Sequence, residues 1–114
     1  MADNVIYINF EEGMKRMMNN AKFYAKMLTK FKDDTNLGIL EESLTTGDLE
    51  KAQVAAHTLK GVVSNLSLTE LYKQTLEMET QIKAGDVKPD QLAIVKDVYT
   101  KTITEVEKVI AENG

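Results

Sequence analysis

Hydrophobic residues recur at helical spacing along almost the whole chain of 114 residues. Apolar side chains three or four positions apart lie on one face of a helix. This pattern predicts helices over residues 10–19, 21–32, 36–45, 48–66, 68–84 and 89–112. The only strand-like stretch is VIYINF at residues 5–10, which we expect to form a short extended lead-in. Long amphipathic helices joined by short loops predict an all-α, antiparallel up-and-down four-helix bundle with accessory N-terminal helices.

Residues that begin and end helices support these boundaries. The asparagine pair at 19–20 is expected to separate the first two helices, and Asp48 to be the N-cap of the fourth. The segment SLTE at residues 67–70 has the form of a capping box for the fifth helix. Gly85 is expected to close that helix in the left-handed conformation, and Pro89 to open the last helix near its first position.

Composition and length indicate a single domain, residues 1–114. Hydrophobic residues make up 43% and charged residues 28% of the chain, as in ordinary soluble proteins. The sequence contains no cysteine, which excludes disulfides and thiolate metal sites. No apolar run approaches the roughly 20 residues of a membrane span, and the N-terminus lacks a signal-peptide pattern. We therefore expect a cytoplasmic protein that does not bind membranes, and a monomer.

The net charge of −4 is spread over interspersed lysines and acids. No basic cluster offers a footprint for a phosphate backbone, so nucleic-acid binding is disfavoured. A single histidine without cysteine is too few ligands for a zinc or haem site. The paired acids Glu77 and Glu79 are interpreted as surface charge. The sequence also lacks a GxxxxGK[ST] phosphate-binding loop.

The only histidine of the chain, His57, falls within the fourth predicted helix. At about 100° per residue, the apolar stripe of this helix centres near Leu59 and Leu66, and His57 lies roughly opposite. The residues that share its face include Gln53, Val54, Lys60, Gly61 and Ser64.

These residue types suit the chemistry of a nucleophile that a partner must reach. A neutral imidazole has a ring nitrogen with a free lone pair and can act as a nucleophile. Lys60 supplies a positive charge for a phosphoryl group or carboxylate. Gly61 costs about 1 kcal/mol in a helix relative to alanine, but it removes bulk beside the histidine. Gln53 and Ser64 are candidate hydrogen-bonding groups for the ring or for oxygens placed on it, and Val54 is a candidate docking contact.

The stretch HTLKG at residues 57–61, followed by Ser64-Asn65-Leu66, resembles the signature of histidine-containing phosphotransfer (Hpt) domains of bacterial phosphorelays. The resemblance extends over nearly the whole chain, through the Gly47-Asp48 pair, the NNAKFYAKMLTKF segment at 19–31 and the helix that ends in Gly85-Asp86. One position departs from the pattern, because Ser67 stands where the family usually has glycine.

The resemblance implies a four-helix bundle with accessory helices in which His57 is the phosphoacceptor. It also implies that Lys60 stabilises the charge of the phosphate and that Gly61 keeps the site accessible. In such a relay, His57 accepts a phosphoryl group from a phospho-aspartyl receiver domain and passes it to another receiver. The implied partners are response-regulator receiver domains and a hybrid histidine kinase. The chain would need no cofactor of its own, since the divalent metal is expected in the receiver.

Three alternatives stay open at this point. The chain could be a non-catalytic helical adaptor in which His57 is an incidental surface residue. It could be the phosphotransfer part of a larger hybrid or chemotaxis-type histidine kinase. The dimerisation and phosphoacceptor domain of a sensor kinase is disfavoured, because an acid normally follows its histidine and a proline stands a few residues on. Here Thr58 follows His57, and Pro89 is far away.

Overall fold

The computed structural model describes residues 5–114, and all regular secondary structure in this range is helical. The helices are α1 (Phe10–Arg16), α2 (Ala21–Phe31), α3 (Asn36–Thr46), α4 (Leu49–Asn65), α5 (Thr69–Ala84) and α6 (Gln91–Asn113). The predicted all-α class is confirmed. The first four residues of the predicted domain 1–114 lie outside the described range. Among residues 5–114, no helix is long and apolar enough to cross a membrane.

The helices form four sides of a bundle. α4 packs between α3 and α5, α5 packs against α6, and α6 packs against α2. Glu41 of α3 pairs with Lys96 near the start of α6 at 2.7 Å, whereas the ring of Phe31 at the end of α2 packs at a tilt against Tyr99 further along α6. α2 and α3 therefore follow each other along one side, and α4, α5 and α6 form the other three. This arrangement is the predicted four-helix bundle, with α1 as an accessory helix.

α1 is held against the bundle by a close contact with Tyr24 of α2. The Tyr24 hydroxyl donates a buried hydrogen bond of 2.6 Å to the carbonyl of Leu66 at the end of α4. Gly13 of α1 lies directly on the Tyr24 ring, where a Cβ atom would overlap the hydroxyl. A glycine at position 13 is thus what allows α1 to approach the bundle.

Most of the predicted helix ends are confirmed. Asn20 caps α2 by accepting from the Phe23 amide, Asp48 caps α4 by accepting from the Lys51 amide, and Gly85 ends α5 with φ 69°. The first helix ends at Arg16 and not at residue 19 as predicted, because residues 18 and 19 both adopt φ 57° and leave the helical conformation.

Two predictions about helix starts are wrong. The N-cap of α5 is Leu68, without a side-chain cap, so the capping box at 67–70 does not form. Ser67 instead takes the left-handed conformation with φ 58°, and its hydroxyl donates to Glu12 of α1 at 2.8 Å. A left-handed position suits glycine, which fits the residue that the Hpt pattern has there. Pro89 precedes Asp90, the N-cap of α6, and therefore stands outside the helix.

Candidate functional site

α4 places His57 on the exposed surface of the bundle. The opposite face of α4 is buried through Ala52, Ala55, Ala56, Leu59 and Val63, in agreement with the stripe predicted from the sequence. Because the core fixes the rotation of the helix, the His57 side chain points outward and is 68% exposed. The histidine is accessible to a large partner.

Glu79 of α5 holds the imidazole from one side. Its Oε2 atom lies 2.9 Å from Nδ1 of His57. A carboxylate can only accept a hydrogen bond, so Nδ1 donates and carries the ring proton. In the neutral ring, Nε2 is then left with an unprotonated lone pair. The contact fixes both the tautomer and the orientation of the ring.

Glu79 is itself the centre of a charged cluster. Its side chain is only 3% exposed, and its oxygens lie 2.7 Å from Nζ of Lys60 and 3.5 Å from Nζ of Lys83. Burial disfavours the charged carboxylate and would raise its pKa. Hydrogen bonds from Lys60 and His57, together with the charges of both lysines, outweigh burial and hold the pKa of Glu79 below its ordinary value. Glu79 is therefore a buried anion at neutral pH.

The interpretation of Glu79 as surface charge was wrong. Glu79 follows the buried Met78 and lies four residues after Thr75 and three before Ile82, both of which are buried. An acid inside the apolar stripe of an amphipathic helix is rarely buried without a partner. The position of Glu79 within this buried stripe is the feature of the sequence that indicates a buried ion pair.

A shallow depression of about 310 Å³ opens beside His57. Its lining combines residues of α4 with two residues of α5: Gln53, Val54, His57, Thr58, Glu79 and Lys83. Two of the residues predicted to share the site with His57, Gln53 and Val54, are thus brought together with it. Val54 is 64% exposed, which makes it an apolar contact on an otherwise polar rim.

The other three predicted site residues are placed differently. A Cβ atom at Gly61 would meet nothing within 4 Å, so the space beside it is open. Ser64 lines a separate depression with Glu12 of α1. Within residues 5–114, neither Ser64 nor Gln53 hydrogen-bonds to the histidine ring, which donates its hydrogen bond to Glu79. Lys60 is not a solvated lysine, since it is only 22% exposed and is paired with Glu79.

In the range that the structure describes, no group of three or more acidic, histidine or cysteine side chains is arranged to hold a metal ion. The site therefore offers a nucleophile, one buried carboxylate and two ammonium groups.

A family model of the Hpt domain matches residues 26–111, well over half of the chain. The chain belongs to the Hpt domain family. The match includes His57 and Glu79, whereas α1 lies outside it. Membership implies histidine phosphotransfer in two-component phosphorelays, and Hpt domains interact there with receiver domains and kinases. No curated protein and no solved structure gives a significant match to this Hpt domain.

Proposed function

We propose that His57 accepts a phosphoryl group from a phospho-aspartyl receiver domain and passes it to a second receiver. The observation that carries this proposal is the hydrogen bond between Nδ1 of the exposed His57 and the buried Glu79. It leaves Nε2 as the nucleophile, in a fixed orientation and facing away from the carboxylate. An incidental surface histidine has no need of a buried hydrogen-bond acceptor.

The imidazole ring keeps its Nδ1 proton throughout the transfer step. Nε2 attacks the phosphorus in line, the nitrogen–phosphorus bond forms, and the phosphorus–oxygen bond of the aspartyl phosphate breaks. The aspartate carboxylate of the receiver leaves with the bonding electron pair. Because Nδ1 keeps its proton, the imidazole becomes positively charged, and the adjacent Glu79 carboxylate stabilises that charge. The reverse step delivers the group to the second receiver.

Positioning and charge stabilisation dominate such transfers, and the surrounding residues are suited to both. Gly61 leaves room for the receiver, and Val54 offers it an apolar contact. Gln53 lies in the wall of the depression, where its amide can donate to phosphoryl oxygens. Lys60 contributes positive charge one turn from His57, and Ser64 is a contact for the partner two turns away. The divalent metal belongs to the receiver, and a monomer of this chain is sufficient.

The test is transfer from a purified phospho-receiver, with mass spectrometry to locate the phosphate. We expect an acid-labile phosphate on His57 in the wild type and none in His57→Gln. Thr104→Ala changes an exposed residue of α6, which does not contribute to the site, and is the control that should still be phosphorylated. Phosphate acceptance by His57→Gln would refute the assignment. Receiver binding without any phosphate transfer by the wild type would favour the helical adaptor.

A further inference from the structure

The two lysines that contact Glu79 differ in their surroundings. Lys60 Nζ is 2.7 Å from Oε1, and the side chain is 22% exposed. Lys83 Nζ is 3.5 Å from Oε2, the oxygen already bound by His57, and its side chain is 54% exposed. Lys60 therefore makes a short, largely covered ion pair, whereas Lys83 makes a long one from the solvent side.

Only one of the two lysines lines the depression beside His57. Lys83 forms part of that wall, with Gln53, Val54 and Thr58, and Lys60 does not. α5 runs antiparallel to α4, so Lys83, one turn after Glu79, lies towards the start of α4, and Lys60 lies towards its end. The imidazole stands between them, and the depression lies on the Lys83 side.

We propose that Lys83, and not Lys60, is the cation that contacts the phosphoryl group on His57, while Lys60 remains the counter-ion of Glu79. This division of roles rests on the proposed function of His57. Around the neutral ring, two lysines face one carboxylate, so one positive charge is in excess. The buried Glu79 needs a close partner to stay ionised, and Lys60 fills that requirement. Lys83 is loosely held, and its long flexible stem lets the ammonium turn from Oε2 to an anion in the depression.

The inference is tested on the phosphorylated domain without a receiver. Phosphoramidate, a small donor that phosphorylates imidazoles, is used to load His57, and the pKa of the phosphoryl group is followed by phosphorus NMR. A nearby cation favours the dianion and lowers this pKa. We expect Lys83→Ala to raise it by about 0.5 unit and Lys83→Arg to keep it near the wild-type value. Lys73→Ala removes an exposed lysine of the same helix and is the matched control, with no expected change.

The same series separates the roles of the two lysines. Lys60→Ala is expected to lower the melting temperature more than Lys83→Ala and to raise the phosphoryl pKa less. A phosphoryl pKa that is the same in Lys83→Ala and Lys73→Ala, or that rises more in Lys60→Ala, would overturn the inference while the phosphoacceptor role of His57 stands. Failure of phosphoramidate and of a phospho-receiver to modify His57 would overturn both.

Discussion

The glycine one turn after His57 provides the sharpest prediction. Gly61 lies inside α4, is exposed, and has open space where a Cβ atom would be. Nothing in the described chain therefore requires glycine at this position. Replacement by alanine removes the backbone entropy cost of an interior glycine, which is about 1 kcal/mol. For a domain of this length, Gly61→Ala should raise the melting temperature by about 4 °C.

The same methyl group should impair transfer, because a receiver that delivers phosphate to Nε2 must pack closely beside Gly61. A methyl group forced into a closely packed contact costs about 1–3 kcal/mol. Every 1.4 kcal/mol corresponds to about tenfold in rate, so transfer from the receiver should slow by about tenfold or more. Modification by phosphoramidate should stay unchanged, since a small donor needs no such packing.

Stability is measured by thermal unfolding, and transfer by the rate at which a phospho-receiver loses its label. Gly38→Ala is the matched control, because Gly38 is an exposed glycine in α3 with equally open surroundings. It should increase stability and leave transfer unchanged. If Gly61→Ala is more stable and transfers at the wild-type rate, glycine at position 61 is not required for the docking of a receiver. If it is less stable, the reasoning about open space is wrong.

Four further predictions concern the fold and the buried acid. Gly13→Ala should destabilise the domain by about 2 kcal/mol in urea unfolding, because its Cβ atom overlaps the Tyr24 hydroxyl. Ser67→Gly should raise the pKa of Glu12 in an NMR titration, since the Ser67 hydroxyl is the main cause that lowers it. Burial and then the charge of Glu12 raise the pKa of Tyr24 to about 12. The neutral hydroxyl of Tyr24 therefore contributes to the stability of the folded state; this contribution is complete below pH 10, the ordinary pKa of tyrosine, and is lost as the pH rises towards 12. Tyr24→Phe should remove this loss of stability from alkaline unfolding curves. The lowered pKa of Glu79 gives stability that is present above its ordinary value of 4.5 and is lost as the pH falls below it, so Glu79→Gln should flatten the acid limb of a melting-temperature profile.

The fold was predictable because local sequence patterns determine where its helices begin, end and face the core. The apolar stripe of α4 and the caps at Asn20, Asp48 and Gly85 depend on nearby residues of the sequence, and the structure has them as predicted. The error at the start of α5 arose where a distant contact decides the conformation. Ser67 takes the left-handed conformation in the structure and donates a hydrogen bond to Glu12, 55 positions away. The capping box predicted from residues 67–70 alone was therefore wrong.

The site was predictable only in part, for the same reason. His57, Val54 and Gln53 lie on one helix, and helical periodicity alone places them on one face. Glu79 comes from another helix, and its contact with His57 spans 22 positions of the sequence. Periodicity within α5 marks Glu79 as an acid on a buried stripe, but only the packing of α5 on α4 shows which groups it meets.

The composition of this cluster suits a carrier that both takes and gives a phosphoryl group. In the unmodified domain, two lysines and Glu79 leave a single positive charge beside a neutral ring. In the proposed phospho form, the imidazole gains one positive charge and the phosphoryl group adds about two negative charges, so the cluster is close to neutral. Neither state carries a large uncompensated charge at the edge of a low-dielectric core, where such a charge would be costly. With glutamine in place of Glu79, the imidazolium of the phospho form would lose the carboxylate that stabilises its charge. Glu79→Gln should therefore shift the equilibrium with a phospho-receiver away from phospho-His57.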